Sequence, residues 1–330
     1  MKRREFISLL GGAAAVWPLA ARAQQTERIR TVGILFGSSD HADWRRLMDA
    51  FTPSLKELGW TDGRNVRLDI RWSGGDAASN AAQARELVRS QPDVILAAPS
   101  NAVIAVQKET RTIPIVFVYV SDPIAQGVVD NLARPSGNLT GFSNLEDSLM
   151  GKWLQILKKA APGLRRAGLM ISTINAASPI WYRMFRDVAP TLAIEPISAP
   201  IKDRKEIEGV IKSIAGEPHS AIIVAGDTMT SDPPVRNSLI ELAAAHRLPA
   251  LYGELAFAEH GGLISYGIDR IDPFRRAASY VDRILKGEKP SDLPVQQPTK
   301  FHFVINLKTA RALGLELSPA LVATANAVIE

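Results

Sequence analysis

The chain has 330 residues, with 39 Lys and Arg against 34 Asp and Glu, a formal charge of +5, and no cysteine. Without thiols there is no disulfide framework, thiolate metal site or cysteine nucleophile. Lys2, Arg3, Arg4 and Arg22 against Glu5 supply +3 of the charge, which leaves the rest of the chain near +2, without the clustered cations that nucleic acid requires.

The first residues read as an address. Lys2-Arg3-Arg4-Glu5-Phe6 sets an arginine pair before an apolar run, 6–21, that is softened by Gly11, Gly12 and Pro18 and closes on Ala21-Arg22-Ala23-Gln24. A basic head, a short apolar middle and a small-x-small cleavage site predict a signal peptide over 1–23, of the twin-arginine type. A membrane span needs about 20 consecutive apolar residues, more than this run supplies. With no cysteine at the cleavage point to carry a lipid, the remainder is expected to be a soluble, freely diffusing periplasmic protein. Its length, about 307 residues, exceeds what one core usually organises.

Beyond the signal, short apolar runs alternate with helical patterns. Residues 31–36 read as a buried strand, and 43–58 as a helix with Trp44, Leu47, Met48, Phe51, Leu55 and Leu58 on one face before Gly59. A strand over 66–72, a helix over 77–89, a strand over 94–97, a helix over 102–110 and a strand over 115–120 follow. The second half repeats the scheme, with strands at 167–171, 193–197, 221–224 and 249–252 and helices near 179–189, 203–214 and 233–246. This alternation predicts an α/β fold of two Rossmann-like lobes with parallel sheets. An eight-stranded barrel is the alternative. The Pro/Gly-rich stretch 130–141 argues against it, because it reads as a crossing between lobes.

The residues after each strand are the candidate site, since ligands of open α/β sheets bind outside the carboxyl ends of the strands. In the first half these are Ser38, Ser39 and Asp40, then Trp72 and Ser73, then Ser100 and Asn101, then Tyr119 and Asp122. In the second half they are Ser172 and Asn175, Asp227 and Thr228, and Tyr252 and Glu254. Each small polar residue could equally cap the helix that follows it. Pro99-Ser100-Asn101, between a strand and a helix, predicts free N–H groups at a dipole's positive end, a carboxylate cradle. Trp72, Tyr119 and Tyr252 could wall the pocket, or Trp72 could be packed under a loop. Asp227 or Glu254 would receive an ammonium group if the ligand has one.

Catalytic signatures are missing. The five histidines show no metal-ligand spacing, and there is no Gly-x-Ser-x-Gly elbow, Walker loop or Gly-x-Gly-x-x-Gly turn. Binding rather than catalysis is expected, with no cofactor and no metal.

Several longer motifs carry a family likeness: Thr112-Ile-Pro-Ile-Val-Phe117, Ser121-Asp-Pro123, Gly137-Asn-Leu-Thr-Gly141, Gly151-Lys-Trp-Leu154, Gly261-Gly-Leu-Ile-Ser-Tyr-Gly267, Arg275-Arg-Ala-Ala-Ser-Tyr-Val-Asp-Arg-Ile-Leu-Lys-Gly287, Leu293-Pro-Val-Gln-Gln-Pro-Thr-Lys-Phe301 and Val304-Ile-Asn-Leu-Lys-Thr-Ala310. Through them the chain resembles the ABC-transporter substrate-binding proteins of the tryptophan/tyrosine-type family. The resemblance implies a type I periplasmic-binding-protein fold, with lobe one over 27–142 and 266–298 and lobe two over 143–265 and 299–330. Crossings then fall near 137–143, 265–267 and 294–299. It also implies an ABC permease and its ATPase as partners, to which a monomer closing between its lobes delivers the solute; the residues after the strands predict that solute to be a small carboxylate-bearing molecule, amino-acid-like or aromatic. A periplasmic sensor that shows its closed form to a receptor is the alternative. The chain departs from amino-acid-binding members at Asp227-Thr228-Met229, where they carry Asp-Asn-Thr, and at 71–76, where they carry Asn-Ala-Gln-Gly-Asp.

Overall fold

The computed structural model describes residues 28–146 and 148–330, so the signal expected over 1–23 lies outside the described residues. The first half forms β1 (Arg30–Phe36), α1 (Ala42–Glu57), β2 (Val66–Trp72), α2 (Ala77–Arg89), β3 (Val94–Ala98), α3 (Ser100–Glu109), β4 (Ile115–Val120) and β5 (Leu139–Ser143). Its five strands are parallel, in the order β2-β1-β3-β4-β5. β3 and β4 are buried at every position, as strands covered by helices on both faces must be.

The second sheet is built from α4 (Leu149–Ala160), β6 (Arg166–Ser172), α5 (Ser178–Val188), β7 (Glu195–Ile201), α6 (Ile207–Ala215), β8 (Ser220–Val224), α7 (Pro233–Ala245), β9 (Ala250–Tyr252), α8 (Leu255–Glu259) and β10 (Ile264–Ile268). After β10 the chain returns to the first sheet as α9 (Ile271–Leu285), then re-enters the second through β11 (Phe301–Asn306), α10 (Leu307–Ala312), α11 (Pro319–Val322) and β12 (Ala327–Ile329). The seven strands run β12-β11-β10-β9-β8-β6-β7, parallel except where β11 meets β10.

Both sheets follow from apolar periodicity, and the departures have local causes. The strand expected over 193–197 runs instead from Glu195 to Ile201, because Ala193 sits at φ +53° in the turn that ends the preceding 3-10 helix. Pro196 and Pro200 are tolerated inside β7 because it is the edge strand and their missing N–H groups leave no ladder bond unmade. The stretch 130–141, read as a lobe crossing, leads instead into β5, and the chain leaves the first sheet only after Ser143. The crossing expected at 265–267 lies inside β10, whose whole length pairs in the second sheet, so the chain departs after Ile268.

Helix α9 completes the first core from far along the chain. Its Phe274, Ala277, Ala278 and Val281 are fully buried, packed on α1 and on β3, β4 and β5, in one cluster with Trp44, Leu47, Leu96, Val116, Val118 and Phe142. Two hydrogen bonds fix this return, Trp60 Nε1 donating to Asp282 Oδ1 at 2.8 Å and Thr140 Oγ1 donating to Leu293 O at 2.6 Å. Phe274→Ala removes the ring that meets both Phe36 and Trp44. The expected loss is about 3–5 kcal/mol, read as a lowered denaturant midpoint. A change within about 0.5 kcal/mol, the range of an ordinary surface substitution, refutes this placement of α9.

Candidate ligand-binding cleft

The carboxyl ends of the two parallel sheets face each other, and a cavity of about 20 Å³ lies between them. The first sheet and α1 contribute Trp44, Ser100, Asn101, Tyr119 and Ser121. The second contributes Asn175, Gly226, Asp227, Thr228, Ser231 and Glu254, while Arg270 enters from the segment joining β10 to α9.

Local backbone geometry aims these side chains. Tyr119 stands at φ +67°, where the pairing of β4 with β5 shifts register between Val118 and Val120. Such a bulge re-aims one side chain, and here the Tyr119 hydroxyl donates to Glu254 Oε1 at 3.3 Å across the cleft. Ser121 Oγ donates to Asn144 Oδ1 at 2.8 Å. Asn101 reaches the opposite sheet too, its Oδ1 accepting from Ala176 N at 3.3 Å.

Glu254 and Arg270 form the charged centre. Arg270 Nη1 lies 3.1 Å from Glu254 Oε2, with side-chain exposures of 15% and 5%. The guanidinium also lies 4.5 Å over the Trp44 ring and 4.8 Å over the Tyr119 ring, so cation–π attraction adds to the ion pair. Burial opposes its charge, but the Glu254 carboxylate, with Asp43, outweighs that and holds its pKa above the ordinary arginine value. Burial, then the Glu254 carboxylate, pushes the Tyr119 phenol upward, which keeps it a hydrogen-bond donor. A second contact closes the rim: Arg236 Nη1 of α7 meets Asp43 Oδ2 of α1 at 2.6 Å.

Asp227 is spent on its own loop. Its Oδ2 accepts from Ser172 N at 2.7 Å, and its Oδ1 from Met229 N at 2.8 Å and Thr230 N at 2.9 Å. Burial raises its pKa, partly offset by those three N–H groups. It therefore shapes the turn after β8 rather than standing free to meet an ammonium group.

Of the residues singled out from the sequence, Ser100, Asn101, Tyr119, Asn175, Asp227, Thr228 and Glu254 line this cavity. The others lie outside its lining for identifiable reasons. Ser38 is buried with its hydroxyl donating to Ser39 O, Ser39 is exposed, and exposed Asp40 holds Arg45 at 2.6 Å. Trp72 stacks on Phe36 at 4.4 Å and Ser73 donates to Asn80 Oδ1, so both serve the first core. Asp122, at φ +43°, accepts from Ala125 N in a turn. Ser172 sits behind Asp227, and Tyr252 is buried against Phe257 at 4.5 Å. Sequence reasoning missed Trp44, Ser121, Asn144, Gly226, Ser231 and Arg270. Trp44 carried the apolar signal of a core position, which it also fills; Ser231 and Arg270 carried no pattern at all. Among the described residues no group of three or more His, Cys, Asp or Glu side chains is placed to hold a metal, and no helix is long and apolar enough to cross a membrane.

A family model described as ABC transporter substrate binding protein matches residues 38–329. The chain belongs to this family. It is a family of solute-binding proteins, not of enzymes. A tyrosine-binding protein from Clostridioides difficile (strain R20291) is 24% identical over 277 residues, which are 84% of this chain and 79% of that protein. A conserved domain protein from Vibrio cholerae shares the fold with a TM-score of 0.85 at 24% identity, over 91% of this chain and 100% of that one. The ABC domain from Streptococcus pneumonia, solved in complex with L-Trp, gives 0.84 at 24% identity, over 91% and 99%. The fold of this substrate-binding protein is that of the type I periplasmic binding proteins.

Gly226 keeps the charged centre in place. A Cβ there would stand 2.4 Å from Glu254 Oε1 and 2.5 Å from its Cγ, so Gly226→Ala must displace the Glu254 side chain, which holds Tyr119 on Oε1 and Arg270 on Oε2. Breaking a buried pair costs about 3 kcal/mol. The variant should lose that much stability in denaturant unfolding while its far-UV dichroism stays unchanged; full retention of stability refutes the packing of this centre.

Proposed function

We propose that this protein captures a small carboxylate-bearing organic solute, amino-acid-like or aromatic, between its lobes and delivers it to an ABC importer. The partners are then a membrane permease and an ATPase, and the working form is an exported, soluble monomer in the periplasm. Lobe one is 28–143 with 269–298, and lobe two is 144–268 with 299–330. The observation that carries the reading is the cavity at the facing carboxyl ends of two parallel sheets, lined from both lobes, in a chain of the substrate-binding family.

The chemistry supports a carboxylate and an apolar body. The start of α3, at Ser100 and Asn101, brings the positive end of a helix dipole to the cavity. Trp44 and Tyr119 offer aromatic faces. Tyrosine and L-Trp, the ligands of two of the relatives, are carboxylates on aromatic bodies.

The hydrogen bonds and ion pairs that span the cleft make this arrangement a closed one, and a cavity of about 20 Å³ holds little more than a single water. A solute of organic size therefore enters when the lobes part at the strand crossings, and its contacts to both lobes supply the free energy that shifts the open–closed balance. A thermal-shift screen of amino acids, aromatic acids and small carboxylates tests the binding. A hit present at 100-fold its dissociation constant stabilises the native state by about 2.7 kcal/mol. Solution scattering with that hit should show a smaller radius of gyration than without it, and an equal radius in both states rules out hinge closure.

Export has its own check. With Arg3→Lys and Arg4→Lys together, the precursor should accumulate in the cytoplasm, while the unaltered chain yields periplasmic protein that begins near Gln24. Periplasmic protein that starts at Met1 overturns the signal assignment.

A further inference from the structure

A cluster of ionisable groups closes the rim of the cleft, away from the cavity wall. On the first lobe it holds His41 and Asp43, at the start of α1. On the second it holds Arg236 of α7 and His260, which follows α8. Arg236 is buried, and its Nη1 reaches across the lobes to lie 2.6 Å from Asp43 Oδ2. Its Nη2 lies 3.3 Å from His260 Nε2. His260 Nδ1 stands 2.7 Å from Ala256 O, which can only accept, so Nδ1 carries the hydrogen and Nε2 accepts from Arg236. The imidazole is therefore neutral in this arrangement. His41 lies beside the same ion pair, its Nδ1 3.9 Å from Asp43 Oδ2, shielded from solvent and without a hydrogen-bond partner. None of these four residues lines the cavity between the sheets.

We propose that Arg236 sets the affinity for the solute from outside the cavity, by holding the lobes together through Asp43, and that His41 and His260 loosen this hold as pH falls. The proposal rests on the lobes parting to admit a solute, as argued above. A contact that stabilises the closed form without touching solute raises the apparent affinity, because more of the molecules are competent to hold it. When the lobes part, His41 and Asp43 leave with α1 while Arg236 and His260 stay on the second lobe, so the ion pair belongs to the closed form alone. Acid acts on it twice. A proton on His260 Nε2 turns the acceptor that faces Arg236 into a second cation at 3.3 Å, and Arg236 loses the support that aims it across the rim. At His41, burial first, and then Arg270 and Arg236, hold the pKa below the ordinary histidine value, against the pull of Asp43 and Asp232. Opening carries His41 away from α7 and into water, which returns it toward that ordinary value, 6.5. Closing then carries no proton penalty well above about pH 6.5 and a growing one below it, because the open form takes up the proton first.

Two measurements separate the latch from the solute it serves. Solution scattering without solute follows the lobes alone: the radius of gyration should rise between about pH 7 and about pH 5, and His41→Gln combined with His260→Gln should hold it constant. Arg236→Gln should give the larger radius already at about pH 7. Titration calorimetry with L-tyrosine and L-tryptophan reads affinity. Both remain zwitterions across this range, so a pH dependence belongs to the protein. Affinity should fall about threefold or more on acidification, stay level in the double histidine variant, and fall about tenfold or more with Arg236→Gln at about pH 7. If Arg236→Gln fails to fold, Asp43→Asn breaks the same contact from its partly exposed side and should give the same loss. A radius unmoved by acid overturns the sensing role of the histidines, and a radius unmoved by both Arg236→Gln and Asp43→Asn overturns the latch. Amino-acid binding that persists unchanged in all these variants also overturns the proposal and leaves the solute-binding reading standing. A radius that responds as expected while neither amino acid binds supports the latch and tells against tyrosine and tryptophan as the solute.

Discussion

The arrangement of the two sheets depends on a buried charge that needs its partner. Glu254 stands at the start of α8 on the second sheet and is almost wholly removed from water. A carboxylate in that position is tolerable only beside a cation, and Arg270 supplies it from the chain segment that runs back to the first sheet. The pair thus ties the cleft wall to the crossing between lobes. Trp44 and Tyr119 then pack on the guanidinium from the first sheet, so one ion pair gathers side chains from both halves and from the hinge.

The layout of strands and helices was legible because buried parallel strands and amphipathic helices leave strong periodic signals. Residues 66–72 and 77–89 appear in the structure as read, and the family motifs placed the fold. The site was legible only in outline. A rule that points to the residues after each strand finds Ser100, Asn101, Asn175, Asp227 and Glu254, because the strand ends do face the cleft. It cannot tell a wall residue from one engaged behind it. Trp72 and Tyr252 follow their strands just as Tyr119 does, yet they stack on Phe36 and Phe257 in the cores. What separates Tyr119 from them is a bulge with φ +67°, a backbone event that no composition signals.

Asp227 illustrates a related point about carboxylates. Charge read from a sequence suggests availability, but a carboxylate that accepts three N–H groups is a structural element of its turn. Arg270 is the reverse case. A lone arginine after a strand reads as a solvated surface group, and only the geometry shows it pinned between two aromatic faces. Long-range contacts of this kind join residues separated by as many as 226 positions, as Trp44 and Arg270 are, and local patterns carry no trace of them.

The late return of α9 also sets an order on synthesis. The face of the first sheet bearing Leu96 of β3, Val116 and Val118 of β4 and Phe142 of β5 is finished only by residues 274–281, about 130 positions after β5 ends. At roughly 5–20 residues per second, a nascent chain leaves that apolar face uncovered for on the order of ten seconds or more. The first half is thus the part of this molecule most in need of a chaperone at the ribosome, although it is the first to emerge.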